Sequence, residues 1–144
     1  MIQQDTIKLL RECDAGVKMG IASIDDVIDR VKQEQMRTLL HDCKKEHEEL
    51  HAKIQSRLDQ FHDEGKNPNP IAKGMSYMKT NIKLGLNESD STIASLMTDG
   101  CNMGVKSLNQ YLNQYGAAEE YAKDMAKRLI KQEENLAENL KEYL

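Results

Sequence analysis

The chain has 144 residues, 31% of them charged, with 20 Lys and Arg against 24 Asp and Glu and a net charge of −4. That length fits one domain with one sizeable core, and the mildly acidic balance argues against general nucleic-acid binding. No apolar run approaches the ~18 residues that cross a bilayer. The start, Met1-Ile-Gln-Gln-Asp-Thr, lacks the basic flank and apolar stretch of a signal peptide, so the expectation is a cytoplasmic protein with neither membrane nor nucleic acid as partner.

Cys13, Cys43 and Cys101 are odd in number, far apart and without CxxC spacing, which predicts reduced thiols rather than a disulfide framework. Five Tyr, one Phe and no Trp leave little for a nucleotide- or sugar-stacking surface, while eight Met suit an adaptable helical core. Alternation of apolar and polar residues over a strand's length is missing, so the fold class is all-α.

Helix 1 is expected from about Asp5, as N-cap, to about Val31, burying Leu10, Cys13, Val17, Ile21, Ile24 and Ile28 at helical spacing. Helix 2 runs from about Gln33 to Glu64, with Met36, Leu39, Cys43, His47, Leu50, Ile54, Leu58 and Phe61 inward and Gly65 as its stop. Gly65-Lys-Asn-Pro-Asn-Pro, which holds both prolines, is the clearest break in the chain. A short amphipathic helix is expected over about Pro70–Leu84, with Ile71, Met75, Met78 and Ile82 on one side. Lys66, Lys73, Lys79 and Lys83 give this segment a basic cast, either a solvated face or a dock for an anionic partner. Helix 3 begins at the capping cluster Ser89-Asp90-Ser91 and continues through Ile93, Leu96, Met97, Cys101, Val105, Leu108 and Leu112. Gly116 separates it from helix 4, about Ala117–Tyr143, which buries Met125, Leu129, Leu136 and Leu140.

The two halves repeat. Gly16-Val-Lys-Met-Gly-Ile-Ala-Ser-Ile aligns without gaps to Gly100-Cys-Asn-Met-Gly-Val-Lys-Ser-Leu, and helices 2 and 4 then match so that Glu48 meets Glu134 and Leu50 meets Leu136. The reading is one domain over 1–144. It comprises a hairpin of about 5–64, a crossover of 65–89 and a second hairpin of about 90–143, the topology of a bundle with one long crossover. Glycine costs about 1 kcal/mol in a helix relative to Ala. The recurrence of Gly16/Gly20 as Gly100/Gly104 therefore predicts a close approach of helices 1 and 3.

With Leu10-Arg-Glu-Cys-Asp-Ala-Gly, His47-Glu-Glu-Leu-His51 and Thr98-Asp-Gly-Cys in these places, the chain resembles the ferritin-like superfamily over nearly its whole length. Within it, the resemblance is to bacterial ferritin-like proteins catalogued as a domain of unknown function. It implies a four-helix bundle and, in members with a di-iron centre, one Glu from each of two helices and a Glu-x-x-His from each of the others. Glu48-Glu-Leu-His51 matches one such motif. Its repeat partner is Glu134-Asn-Leu-Ala137, without the histidine. Val17 and Cys101 stand at the core-facing positions of helices 1 and 3, and Asp14 and Asp99 only flank those stripes, so the di-iron set is incomplete.

His47-Glu48-Glu49-Leu50-His51 also reads as HExxH, the helical motif of zinc peptidases. A third ligand is missing: His41 lies about 9 Å from His47 and His62 about 16 Å from His51 along the same helix. Counting residues from each hairpin turn puts Val17 level with His47, Cys13 with His51, and Cys101 with Glu133. By the repeat these layers coincide. His47, Cys101 and Glu133 would then converge, with Cys13 and His51 one turn away, a donor set suited to Zn or a single iron. The structural alternative is a core histidine hydrogen-bonded to Glu133 or Gln132, with the cysteines as small apolar fillers.

The sequence therefore predicts a non-catalytic structural or interaction module that needs no cofactor and self-associates through helix faces. The alternative is a protein that binds Fe, Mn or Zn through Glu48, His47, His51, Cys101 and Glu133, with an oxidoreductase or metal-handling role.

Overall fold

The computed structural model describes residues 2–68 and 89–144. The expected short helix over Pro70–Leu84, with Lys73, Lys79 and Lys83, lies outside the described residues. Within them the structure is all-helical: α1 (Ile2–Val27), α2 (Glu34–Gln60), α3 (Asp90–Gln114) and α4 (Glu120–Leu140), with one-turn 3-10 extensions at Ile28–Arg30 and Lys141–Tyr143. None of the described helices is long and apolar enough to cross a membrane.

Side-chain contacts at the ends fix the helix directions. The backbone N–H groups of Ala117 and Glu119, just before α4, donate to Asp5 Oδ2 (3.1 Å) and Thr6 Oγ1 (2.8 Å) at the start of α1. Arg57, near the end of α2, donates to Glu119 at the same place. At the opposite end the N–H groups of Lys32 and Gln33, before α2, donate to the two oxygens of Asp90, the first residue of α3, at 2.8 and 2.9 Å. Thus α1 and α4 run one way, and α2 and α3 the other.

Local chemistry sets the boundaries, and several expected ones move. Ser89 is the N-cap of α3, its hydroxyl accepting from Thr92 N. Asp5 is not a cap: α1 is already helical at Ile2, and Asp5 holds the α3–α4 turn instead. The α2 helix stops at Gln60, short of Gly65. His62 takes a left-handed φ of 56°, its N–H bonding Asp59 O while Asp63 N–H bonds Leu58 O, the paired closure of a Schellman motif made without glycine. Leu40 rather than Leu39 is the fully buried member of its turn, and Leu9, Thr6 and Val27 join the α1 core.

Burial alone would raise the Asp90 carboxyl, but the N–H bonds from Lys32 and Gln33 favour its charged form and bring it below its ordinary value of 3.8. A carboxyl lowered on folding contributes stability above its unfolded value, and that contribution is lost as pH falls through the folded one. Urea midpoints followed from pH 5 downwards should therefore drop through about pH 4 and below. Asp90→Asn should flatten that limb; an unchanged acid limb would refute the role.

The core falls into two apolar clusters. One, around Leu10, Val17, Ile54, Leu108, Ala122 and Leu129, lies towards the end where α1 and α4 start. The other, around Ile24, Met36, Leu40, Ile93, Met97 and Leu140, lies towards the end where α2 and α3 start. His47 sits in sequence between Cys43 of the second and Leu50 of the first, and Glu133 between Ile130 of the first and Leu136 of the second. A polar layer therefore divides the core midway.

Candidate functional site: a buried His–Glu layer beside a cavity

His47 is 1% exposed and Glu133 9% exposed, and they meet through His47 Nε2 and Glu133 Oε1 at 2.8 Å. The repeat makes these equivalent positions of α2 and α4, so the two halves contact each other through the same step of the helix pair. Cys43, one turn before His47, brings Sγ to 3.7 Å from His47 Nδ1. Cys101 on α3 stands beside Glu133 from the other side, close enough to feel its charge. The layer thus runs Cys43, His47, Glu133, Cys101, all buried.

Protonation follows from the surroundings. Burial, the Glu133 charge and the Glu46 charge push the Cys43 thiol up to about 12. Burial and the Glu133 charge push Cys101 well above the ordinary thiol range. Cys13, inside the first apolar cluster, is pushed up to about 12, chiefly by burial. A protonated Cys43 thiol can donate to Nδ1, while Nε2 faces the Glu133 carboxylate. Such thiols are poor nucleophiles. A thiol reagent at pH 8 should leave all three cysteines of the native protein unmodified in the time it modifies them fully in the unfolded chain; fast native reaction would contradict this burial.

Of the five residues expected at a metal site, the structure brings together His47, Cys101 and Glu133. Glu48 is exposed on the outer side of α2. With His51 it lines a shallow depression shared with Lys18 and Asp25. His51 turns to Asp14, its Nε2 3.0 Å from Asp14 Oδ1. Among the described residues no group of three or more His, Cys, Asp or Glu side chains is placed to hold a metal ion.

Asp14 is the residue the helical stripe undervalued. It is fully buried, whereas Asp99, its counterpart beside the α3 stripe, is exposed. Asp14 Oδ2 takes Lys18 Nζ at 2.7 Å and the backbone N–H of Lys66 at 3.0 Å. Gly65 packs directly over this carboxylate at a φ of 87°, where a Cβ would overlap it. Level counting in the hairpin carried the signal, since it sets Asp14 opposite the turn that holds His51.

The glycines behave differently from expectation. A Cβ on Gly20 would overlap the His47 ring, at 2.6 Å from Cδ2, and one on Gly16 would press on Leu129 Cδ2 at 3.3 Å. These two make room for α2 and α4, not α3. Among the described residues a Cβ on Gly100 would meet nothing within 4 Å, and one on Gly104 only Glu133 at 3.9 Å. All four glycines line a cavity of about 210 Å³ between α1 and α3, with His47, Glu133 and Cys101 on its inner wall. The expected close approach of the first and third helices is thus a gap at this level.

No protein-family model matches the chain, and no curated protein matches it. A crystal structure of a DUF305 fragment from Deinococcus radiodurans is similar in fold, with a TM-score of 0.72 at 12% identity over 95% of this chain and 93% of that one. At that identity the likeness is one of fold: this chain shares its all-helical architecture with a domain of unknown function.

Proposed function

We propose that this chain is a ferritin-like four-helix bundle without a di-iron centre, acting as a non-catalytic structural or protein-interaction module. The helix directions support the ferritin-like reading, since a pair α1–α2 and a pair α3–α4 running as they do correspond to a bundle with one long crossover. The observation that carries the non-catalytic reading is that the Glu-x-x-His motif turns away from the central layer. Glu48 and His51 face the outer side of the α1–α2 hairpin, while the buried imidazole, His47, already has Glu133 as its partner. The donors do not fit a di-iron cluster: α1 supplies no carboxylate to the central layer, and α3 supplies only a protonated thiol. Self-association through helix faces belongs to the same proposal, with Met103, 60% exposed on α3, as one apolar contact.

A second reading, binding of Fe, Mn or Zn, rests on His47, Cys101 and Glu133 sharing one layer, and it requires these side chains to move, since among the described residues no three are placed to hold an ion. Metal analysis of protein purified without chelators separates the two. The first reading expects only trace Fe, Mn and Zn, unchanged in His47→Ala. Stoichiometric metal that disappears in His47→Ala would replace it with the second.

A further inference from the structure

We propose that the cavity between α1 and α3 is a binding site for a small apolar molecule, one ring or a short chain, carrying one hydrogen-bond-donating group that Glu133 receives. This goes beyond the module reading, which needs no ligand.

Size comes first. An engineered cavity of about 150 Å³ is known to stay dry and hold benzene; this one, at about 210 Å³, has room for a ring with a short substituent. Its walls are mainly apolar, with Met97, Leu108 and Leu129 among them. That is the usual make-up of a small-molecule site, an apolar body with few polar groups.

The glycines supply the second argument. Gly16 and Gly20 are explained by packing, because neighbouring side chains occupy the space of their missing Cβ atoms. Gly100 is not: no described neighbour comes within 4 Å of where its Cβ would stand, and alanine there would favour the helix. What glycine at 100 provides is width in the cavity. Gly104 clears the space in front of Glu133 in the same way, with Oε2 4.0 Å from where its Cβ would stand.

Glu133 supplies the third. It is 9% exposed and lines the cavity, and a carboxylate has about four acceptor positions. His47 Nε2 accounts for one, at Oε1. The remaining capacity lies beside Gly104, where an ammonium or hydroxyl group entering between α1 and α3 would find it. His47, held in turn by Cys43, fixes the carboxylate's orientation.

The test uses the full chain with three probes of one size: benzylamine, benzyl alcohol and toluene. Binding is read by titration calorimetry and by shifts of the Met19 and Met97 methyl resonances. At least one donor-bearing probe should bind tenfold or more tightly than toluene, and the comparison of amine with alcohol tells a cationic from a neutral head. Gly100→Leu, which fills the space from a helix position that meets no described neighbour, should weaken that probe at least tenfold while leaving the helical circular dichroism unchanged. If Gly100→Leu does not fold, the double variant Gly100→Ala/Gly104→Ala should weaken binding in the same direction. Absence of binding by all three probes would overturn the proposal. So would toluene binding as tightly as both donors, or affinity unchanged in the cavity-filling variants.

Discussion

Glu133→Ala is expected to lower the unfolding free energy by about 1–3 kcal/mol, the usual cost of leaving a buried donor without its acceptor. The substitution removes the one hydrogen-bond partner of His47 Nε2 from a ring that is 1% exposed. The cost belongs to the group left behind rather than to the worth of the pair. Replacing both partners, as in His47→Met/Glu133→Met, should therefore recover most of the loss and end within about 1 kcal/mol of the parent chain. Methionine suits both places because its unbranched thioether can settle beside Gly20 without the clash a branched carbon would make. Urea denaturation with a constant m-value measures both variants. A double variant as unstable as the single one would show that the layer stabilises the bundle through the charge pair itself.

The second large effect is expected at Asp14. Asp14→Ala should cost about 2–3 kcal/mol, mostly because the Lys66 backbone N–H loses its acceptor. Lys18 and His51 are about a quarter exposed and can turn to water, so their loss weighs less. Asp14→Asn, which keeps an oxygen for Lys66, should lose roughly half as much. Hydrogen exchange at the Lys66 amide is the decisive readout: it should speed up in Asp14→Ala and much less in His51→Ala. Unchanged exchange in Asp14→Ala would mean that the segment after α2 is held by other contacts, such as Arg11 with Asp63 or Lys66 with Glu12.

Much of the scaffold was legible in the residues. Four long helices, their order and most of their buried positions follow from apolar spacing at 3–4 residues, because a helix exposes one face and must bury the other. Ser89 as cap is equally local, since an N-cap side chain needs only the backbone of its own first turn. The end of α2 was not legible. Nothing in His62 marks a left-handed residue, and Gly65, which looked like the stop, serves Asp14 instead.

The site divides along the same line. The repeat and the level counting placed His47 beside Glu133 and Cys101, because the two hairpins meet at aligned steps of α2 and α4. They also drew Glu48 and His51 into the same set, and here the helix itself decided otherwise. Glu48 stands about 100° round the helix from His47 and is exposed, while His51, about 40° away and one turn further along, lies against α1 and reaches Asp14. Asp14 and Asp99 look alike in sequence, yet only Asp14 has a histidine, a lysine and a backbone N–H converging on it.

By itself, then, the sequence determined an all-helical, internally repeated chain with a polar step in the middle of its core. Those properties are written in periodicity and in the spacing of a few polar residues along single helices. Tertiary structure alone decided which donors share that step and what the repeated glycines do. Gly16 and Gly100 occupy alike contexts in sequence, but a Cβ on one would press on Leu129 and a Cβ on the other would meet no described atom within 4 Å. The difference depends on how far apart the neighbouring helices lie, and that distance is set by every packed side chain in the bundle rather than by any one stretch of chain.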